Sequence, residues 1–197
     1  MFFKKKTGPE DFLAVGLGNP GKGYANTRHN AGYIMLDALA KDAGVELTRA
    51  KFKSLTAEAK FGDTKVLLMF PQTYMNLSGQ AVAEAAKFYK IPPERILVFS
   101  DDISLPVGQV RVRRKGSDGG QKGLRSITEL IGSSEFPRIR VGVGAKPHPE
   151  MELADWVLSR FSSDELKQMN EASEKAVGAA KLVFAGDIEK AMNLYSK

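Results

Sequence analysis

Cysteine is absent from the 197 residues. That excludes disulfides, thiolate metal centres and a cysteine nucleophile, and it fits a reducing cytoplasm. Histidine occurs twice, at His29 and His148, with no H-E-x-x-H pattern. The donor set for a zinc site is therefore missing, and no metal is expected. No apolar run approaches the ~20 residues that span a bilayer. The lysines of the opening MFFKKKTGPEDF are not followed by an apolar stretch, so neither a secretory leader nor a membrane association is expected. There is no G-x-S-x-G elbow, and no Ser-His-Asp set suggests itself.

What the chain does carry is positive charge. Lys and Arg number 29 against 23 Asp and Glu, a formal net charge of +6, and clustered cations of this kind concentrate polyanions such as nucleic acid near a surface. The basic residues gather at Arg111, Arg113, Arg114, Lys115, Lys122 and Arg125, then at Arg138 and Arg140. Period-two alternation puts Arg111 with Arg113, and Arg138 with Arg140, on common strand faces. Beside the Gly116-Ser-Asp-Gly-Gly120 loop they read as a phosphate-contacting patch rather than dispersed surface charge.

The length fits one domain with a sizeable core. Residues 1–10 read as a frayed basic lead-in and 11–197 as the domain. Strands are expected at 12–17, 54–60, 65–70, 95–100, 109–113 and 138–143. Helices are expected at 30–42, 79–90 (with Ser78 as N-cap), within 119–131, and from Ser163 towards Phe184. The last of these opens on the capping-box pattern Ser162-x-x-Glu165. A short final helix follows Asp187. Alternating strands and helices predict an α/β fold, one mixed, mainly parallel sheet with helices on both faces. Ligands of such folds bind beyond strand C-termini, and the loops 18–30, 71–78 and 101–106 each follow a strand and can converge at one edge.

Gly16-Leu-Gly-Asn-Pro-Gly21 matches the dinucleotide fingerprint G-x-G-x-x-G, but Pro20 and nearly ten loop residues separate the glycines from the next helix. Helix N–H groups then cannot meet a pyrophosphate there, so the match is weak and no nucleotide cofactor is expected. His29, in the polar loop Tyr24-Ala-Asn-Thr-Arg-His-Asn-Ala-Gly32, is the stronger candidate. Its ordinary pKa suits general-base work near neutrality. The amides Asn19, Asn26, Asn30 and Asn76 lie in loops expected nearby, and Asp101, at the end of a buried strand, is placed to hold the imidazole tautomer. A water activated by His29 is the leanest hydrolytic chemistry this composition allows.

Five motifs, Gly-Leu-Gly-Asn19-Pro-Gly-x-x-Tyr24, Thr27-Arg-His29-Asn-Ala-Gly32, Thr73-Tyr-Met75-Asn76-Leu-Ser-Gly79, Asp101-Asp-Ile-Ser-Leu-Pro106 and Gly119-Gly-x-x-Gly-Leu124, occur in an order and spacing that resembles bacterial peptidyl-tRNA hydrolase over roughly residues 11–195. The resemblance implies a cytoplasmic, monomeric, cofactor-free esterase that frees tRNA from peptidyl-tRNA. By position it implies His29 as general base, Asp101 as its orienting carboxylate, and Asn19 as the residue distinguishing peptidyl from aminoacyl ends. Tyr24, Tyr74 and Asn76 would receive the CCA end and the peptide, with Met75 as an apolar wall. Arg113 and Arg140 would clamp the 5′ phosphate. One departure stands out: Gln121-Lys122 occupies the place where the family usually has His-Asn. Lys122 offers donors and a charge but no acceptor, so it can meet a phosphate but cannot copy a contact through an amide carbonyl. The alternative reading is a non-catalytic RNA-binding module on the same fold, as plant organelle splicing relatives of the family suggest; a nucleotide-binding oxidoreductase rests on the glycines alone.

Overall fold

A computed structural model describes residues 10–196. The basic lead-in expected over 1–10 lies outside them apart from Glu10, which is buried. The strands are β1 (Phe12–Gly16), β2 (Arg49–Lys51), β3 (Ser54–Phe61), β4 (Thr64–Pro71), β5 (Ile96–Asp102), β6 (Val110–Arg113) and β7 (Arg138–Gly142). The helices are α1 (Ala31–Asp42), α2 (Ser78–Tyr89), α3 (Lys122–Ile131), α4 (Leu153–Val157), α5 (Ser163–Phe184) and α6 (Ile188–Tyr195).

The strands form one sheet in the order β2-β3-β4-β1-β5-β7-β6. The four central strands β4, β1, β5 and β7 are mutually parallel. β2, β3 and β6 extend the two edges antiparallel, so the neighbour pairings divide evenly between the two kinds. The central strands read as unbroken apolar runs because both faces are covered: every residue of β5 is buried, and so is the stretch 66–71 of β4. Alternate side chains feed two separate cores. Ala14, Leu68, Phe99 and Ile139 pack with α1 and α5 on one face; Leu13, Val15, Met69 and Val98 pack with α2 and α3 on the other. Helices thus cover both faces.

Local chemistry explains most boundaries. Ser162 Oγ accepts from Glu165 N–H while the Glu165 carboxylate accepts from Ser162 N–H, the capping box that starts α5. Asp187 accepts from Lys190 N–H at the start of α6. Ser78 is not the cap expected of it. It is the first residue of α2, and its hydroxyl donates to Met75 O across the tight turn 75–77 that leads in. The three-residue β2 was not foreseen; it pairs with β3 and is tied to α2 by Lys51 Nζ, which donates to the Tyr89 hydroxyl at 2.7 Å.

Candidate active site

Because β4, β1 and β5 are parallel neighbours, the loops after them leave the sheet at the same edge. α1 enters that edge unusually closely. A Cβ on Gly32 would lie 2.3 Å from Phe99 O and 2.8 Å from Leu17 N, so only glycine lets the helix start press against the ends of β1 and β5. The tight turn Arg28–Asn30 just before α1 therefore carries His29 to the end of β5.

There, His29 Nδ1 donates to Asp101 Oδ2 at 2.9 Å. The imidazole is 13% exposed and the carboxylate 3%. An ionised carboxylate only accepts, so Nδ1 carries the proton in the neutral ring and Nε2 keeps the lone pair. The His29 pKa is raised above the ordinary imidazole value of 6.5. Burial is the largest single influence and opposes protonation. The attraction and hydrogen bond of Asp101 together outweigh it, and the Lys122 charge subtracts from the rise.

His29 and Asp101 line a cavity of about 500 Å³ together with Asn19, Tyr74, Met75, Asn76, Gln121, Lys122 and Arg140. Asn19 is buried and locked: Asn30 bridges its backbone N–H and carbonyl, at 2.8 and 3.0 Å. Its Oδ1 accepts from Met75 N–H at 2.9 Å. That fixes the amide flip, so the other end of the amide is the NH₂ donor. Met75 is buried, while Tyr74 is 63% exposed. Across the cavity stand Leu153, Ala154, Val157 and Leu158, on or beside α4. Leu153 and Leu158 are 42% and 41% exposed, so one side of the opening is apolar.

The cations Lys122 and Arg140 line the cavity together with the carboxylates Asp101, Asp102 and Asp118. In the antiparallel β6–β7 register Arg111 faces Arg140 and Arg113 faces Arg138, which brings all four arginines onto one face. Arg140 Nε sits 2.8 Å from Asp102 Oδ2. The Arg113 pKa is lowered, first by burial and then by the like charges of Arg111 and Arg140; an anion would relieve that repulsion. Arg138 must be removed from the surface patch expected of it. It is 1% exposed, and its guanidinium donates to the carbonyls of Gly116, Ser117, Ser134 and Phe136. Burial, more than the neighbouring Arg140, pushes its pKa down to about 10. It builds the 116–121 loop rather than meeting a ligand.

Two other expected residues lie away from the cavity lining. Tyr24 ends the short turn Lys22–Tyr24 on the approach loop, and Arg113 stands beyond Arg140 on the outer strand. Three contributors escaped the sequence reading. Gln121 Nε2 donates to Asp101 Oδ1. Asp102 holds Arg140. Arg28 is buried, forks onto both carboxylate oxygens of Glu165 at 3.0 Å, and stacks over Trp156. It ties the His29 turn to α5 and the α4 region, a tie reinforced by the short bridge between Thr27 and Arg160. All three sit inside or next to the motifs already singled out; position was the only signal.

Known proteins similar to this chain in sequence and fold are peptidyl-tRNA hydrolases. The peptidyl-tRNA hydrolase family model matches residues 13–197. A peptidyl-tRNA hydrolase of Caldanaerobacter subterraneus subsp. tengcongensis is 49% identical over 185 residues, covering 94% of this chain and 99% of its own. One from Agathobacter rectalis is 48% identical over 186 residues, covering 94% and 100%. The crystal structure of peptidyl-tRNA hydrolase from Acinetobacter baumannii superposes with a TM-score of 0.87 at 38% identity, over 93% of each chain.

Proposed function

The chain belongs to the peptidyl-tRNA hydrolase family, and from that membership and its geometry we propose how it cleaves the ester joining a peptide to the 3′ end of tRNA. His29 Nε2 takes a proton from water as the water oxygen attacks the ester carbonyl. The bond to the ribose oxygen then breaks, and the imidazolium returns the proton to that oxygen, leaving a free peptide carboxyl and a free tRNA 3′ end. Asp101 stabilises the transient imidazolium and fixes its tautomer, as a buried carboxylate does in a catalytic triad. The Asn19 NH₂ group, held by Met75 N–H through its other end, donates to the developing oxyanion, with Asn76 beside it; one such donor contributes about 3–4 kcal/mol in the transition state. The peptide lies against Met75, Tyr74, Leu153 and Leu158. Lys122, Arg140 and Arg113 take phosphates of the acceptor end, and Tyr24 contacts the substrate on its approach.

The observation that carries this reading is the 2.9 Å His29–Asp101 pair opening onto a cavity that apolar side chains, side-chain amides and the cations Lys122 and Arg140 line together. Residues 11–197 act as one catalytic domain behind the basic segment 1–10. In this reading the chain acts as a monomer, on a substrate that translation generates in the cytoplasm. The test is an incubation of the purified chain with N-blocked aminoacyl-tRNA, no cofactor added. Release of the blocked amino acid with free tRNA is expected. Tight binding without release would favour the RNA-binding module instead.

A further inference from the structure

The Gln121 amide is fixed at both ends. Its Oε1 accepts from Leu124 N–H at 2.8 Å and caps α3. Its Nε2 donates to Asp101 Oδ1 at 3.0 Å and lies 3.2 Å from Met75 Sδ. Asp101 gives its other oxygen to His29, so α3, Gln121, Asp101 and His29 form one hydrogen-bonded file. The close approach that makes the file possible comes from Gly123. A Cβ there would lie 2.7 Å from Met75 Sδ, 2.8 Å from Leu17 Cδ1 and 3.0 Å from Gln121 Oε1.

Capping alone gives no reason for glutamine at this position, because Ser, Thr, Asp and Asn are the preferred N-caps. What the longer amide adds is reach to Asp101. A carboxylate turns easily about its last torsion, whose energy profile is broad and two-fold. One partner leaves that rotation soft, whereas partners on both oxygens fix the plane.

We propose that Gln121 is a positioning residue for the reaction: it locks the Asp101 carboxylate so that Oδ2 meets His29 Nδ1, and it anchors that pair to the start of α3. The inference rests on the reading of His29 as the base. The charged groups surrounding His29 are Asp101 and Asp102 of β5, Asp118 of the loop before α3, Lys122 of α3 and Arg140 of β7. Gln121 adds no charge among them, so it acts on His29 through the placement of Asp101.

Gln121→Ser in the full chain separates the two jobs. Serine is a good N-cap and keeps α3 capped, but its hydroxyl is too short to reach Asp101. The expected result is an unchanged melting temperature and KM, with kcat lower by about 10- to 100-fold, the scale of loss from a small misplacement of catalytic groups. The chain has only two histidines, so the His29 imidazole resonance can be followed by itself in NMR spectra. With the carboxylate free to turn away, its pull on the imidazolium weakens, and His29 should titrate at lower pH in the variant. Wild-type kcat with an unshifted His29 would overturn the proposal. So would a loss of kcat that comes with an unshifted His29 or with a lowered melting temperature. Activity surviving His29→Ala would instead strike the base assignment, and the Gln121→Ser titration would still report whether the file exists.

Discussion

Asp101 and Asp102, consecutive at the end of β5, hold different partners in one cavity. Asp101 Oδ2 receives His29 Nδ1 at 2.9 Å, and Asp102 Oδ2 faces Arg140 Nε at 2.8 Å. The second carboxylate is itself fixed, since its Oδ1 accepts from Ser104 N–H at 2.8 Å and from the Ser104 hydroxyl at 2.6 Å. Strand alternation aims the two side chains apart, so one strand end orients both the proposed base and a proposed phosphate contact.

Replacing Asp101 by Asn keeps the shape and removes the charge. Because Asp101 raises the His29 pKa, its loss should move the acidic limb of the pH–kcat/KM profile to lower pH. Loss of the tautomer and of imidazolium stabilisation should lower kcat by about 10²- to 10⁴-fold. Stability follows the same linkage. A folded-state pKa raised above 6.5 contributes stability that is fully present below the unfolded value and lost as pH rises through the folded one. The stability gap between wild type and Asp101→Asn, measured by urea unfolding, should therefore be widest in acid and narrow towards alkaline pH. A gap that widens with pH would contradict the pairing.

Arg28→Ala should cost stability before it costs chemistry. The guanidinium is nearly buried while its partner Glu165 is about a quarter exposed (24%), so the loss should fall below the ~3–5 kcal/mol of a fully buried pair, at about 2–3 kcal/mol. Arg28→Lys should recover little of it, because an ammonium cannot fork onto both Glu165 oxygens or stack flat on Trp156. Urea unfolding of the two variants checks this. Equal stability of the lysine variant and wild type would mean that charge alone holds the turn.

Elements that advertise themselves locally were legible in the sequence. The apolar runs of β4 and β5, the capping box of α5 and the glycines around His29 all state their roles within a few residues. What was hidden depends on partners far along the chain. Arg138 looked like one more surface cation, yet the 114–121 loop closes over it and supplies carbonyls. Arg28 reads as a neighbour of the proposed base, and only the fold brings Glu165, 137 positions later, to meet it. Gln121 was visible as a departure from the family pattern, but its bond to Asp101 needs α3 to dock beside β5. Ser78 misled because a tight turn consumed the hydroxyl that would otherwise cap α2.

Arg140 and Arg113 should each carry part of the salt dependence of tRNA binding. Replacing either by Ala should weaken binding and flatten the slope of log K against log salt by roughly one unit per lost phosphate contact. The effect should be larger for Arg140, which lines the cavity, than for Arg113 on the outer strand. Slopes unchanged in both variants, measured by filter binding over a salt series, would remove the phosphate role from this face.

Lys122 offers the sharpest electrostatic test, because it is exposed at the first turn of α3 and still acts on His29. Its charge lowers the His29 pKa against the net rise, so both Lys122→Ala and Lys122→Asn should move the acidic limb of the kcat/KM profile to higher pH. An exposed charge is screened by salt, with a Debye length near ~30 Å at ~0.01 M and ~3 Å at ~1 M. The difference between variant and wild type should accordingly be clear at low ionic strength and fade at high. KM should separate the two variants: asparagine keeps a donor for the tRNA and should bind it better than alanine, while both lose salt sensitivity relative to lysine. If the acidic limbs of all three proteins coincide at low salt, Lys122 points away from the imidazole in solution and its place at the site is lost.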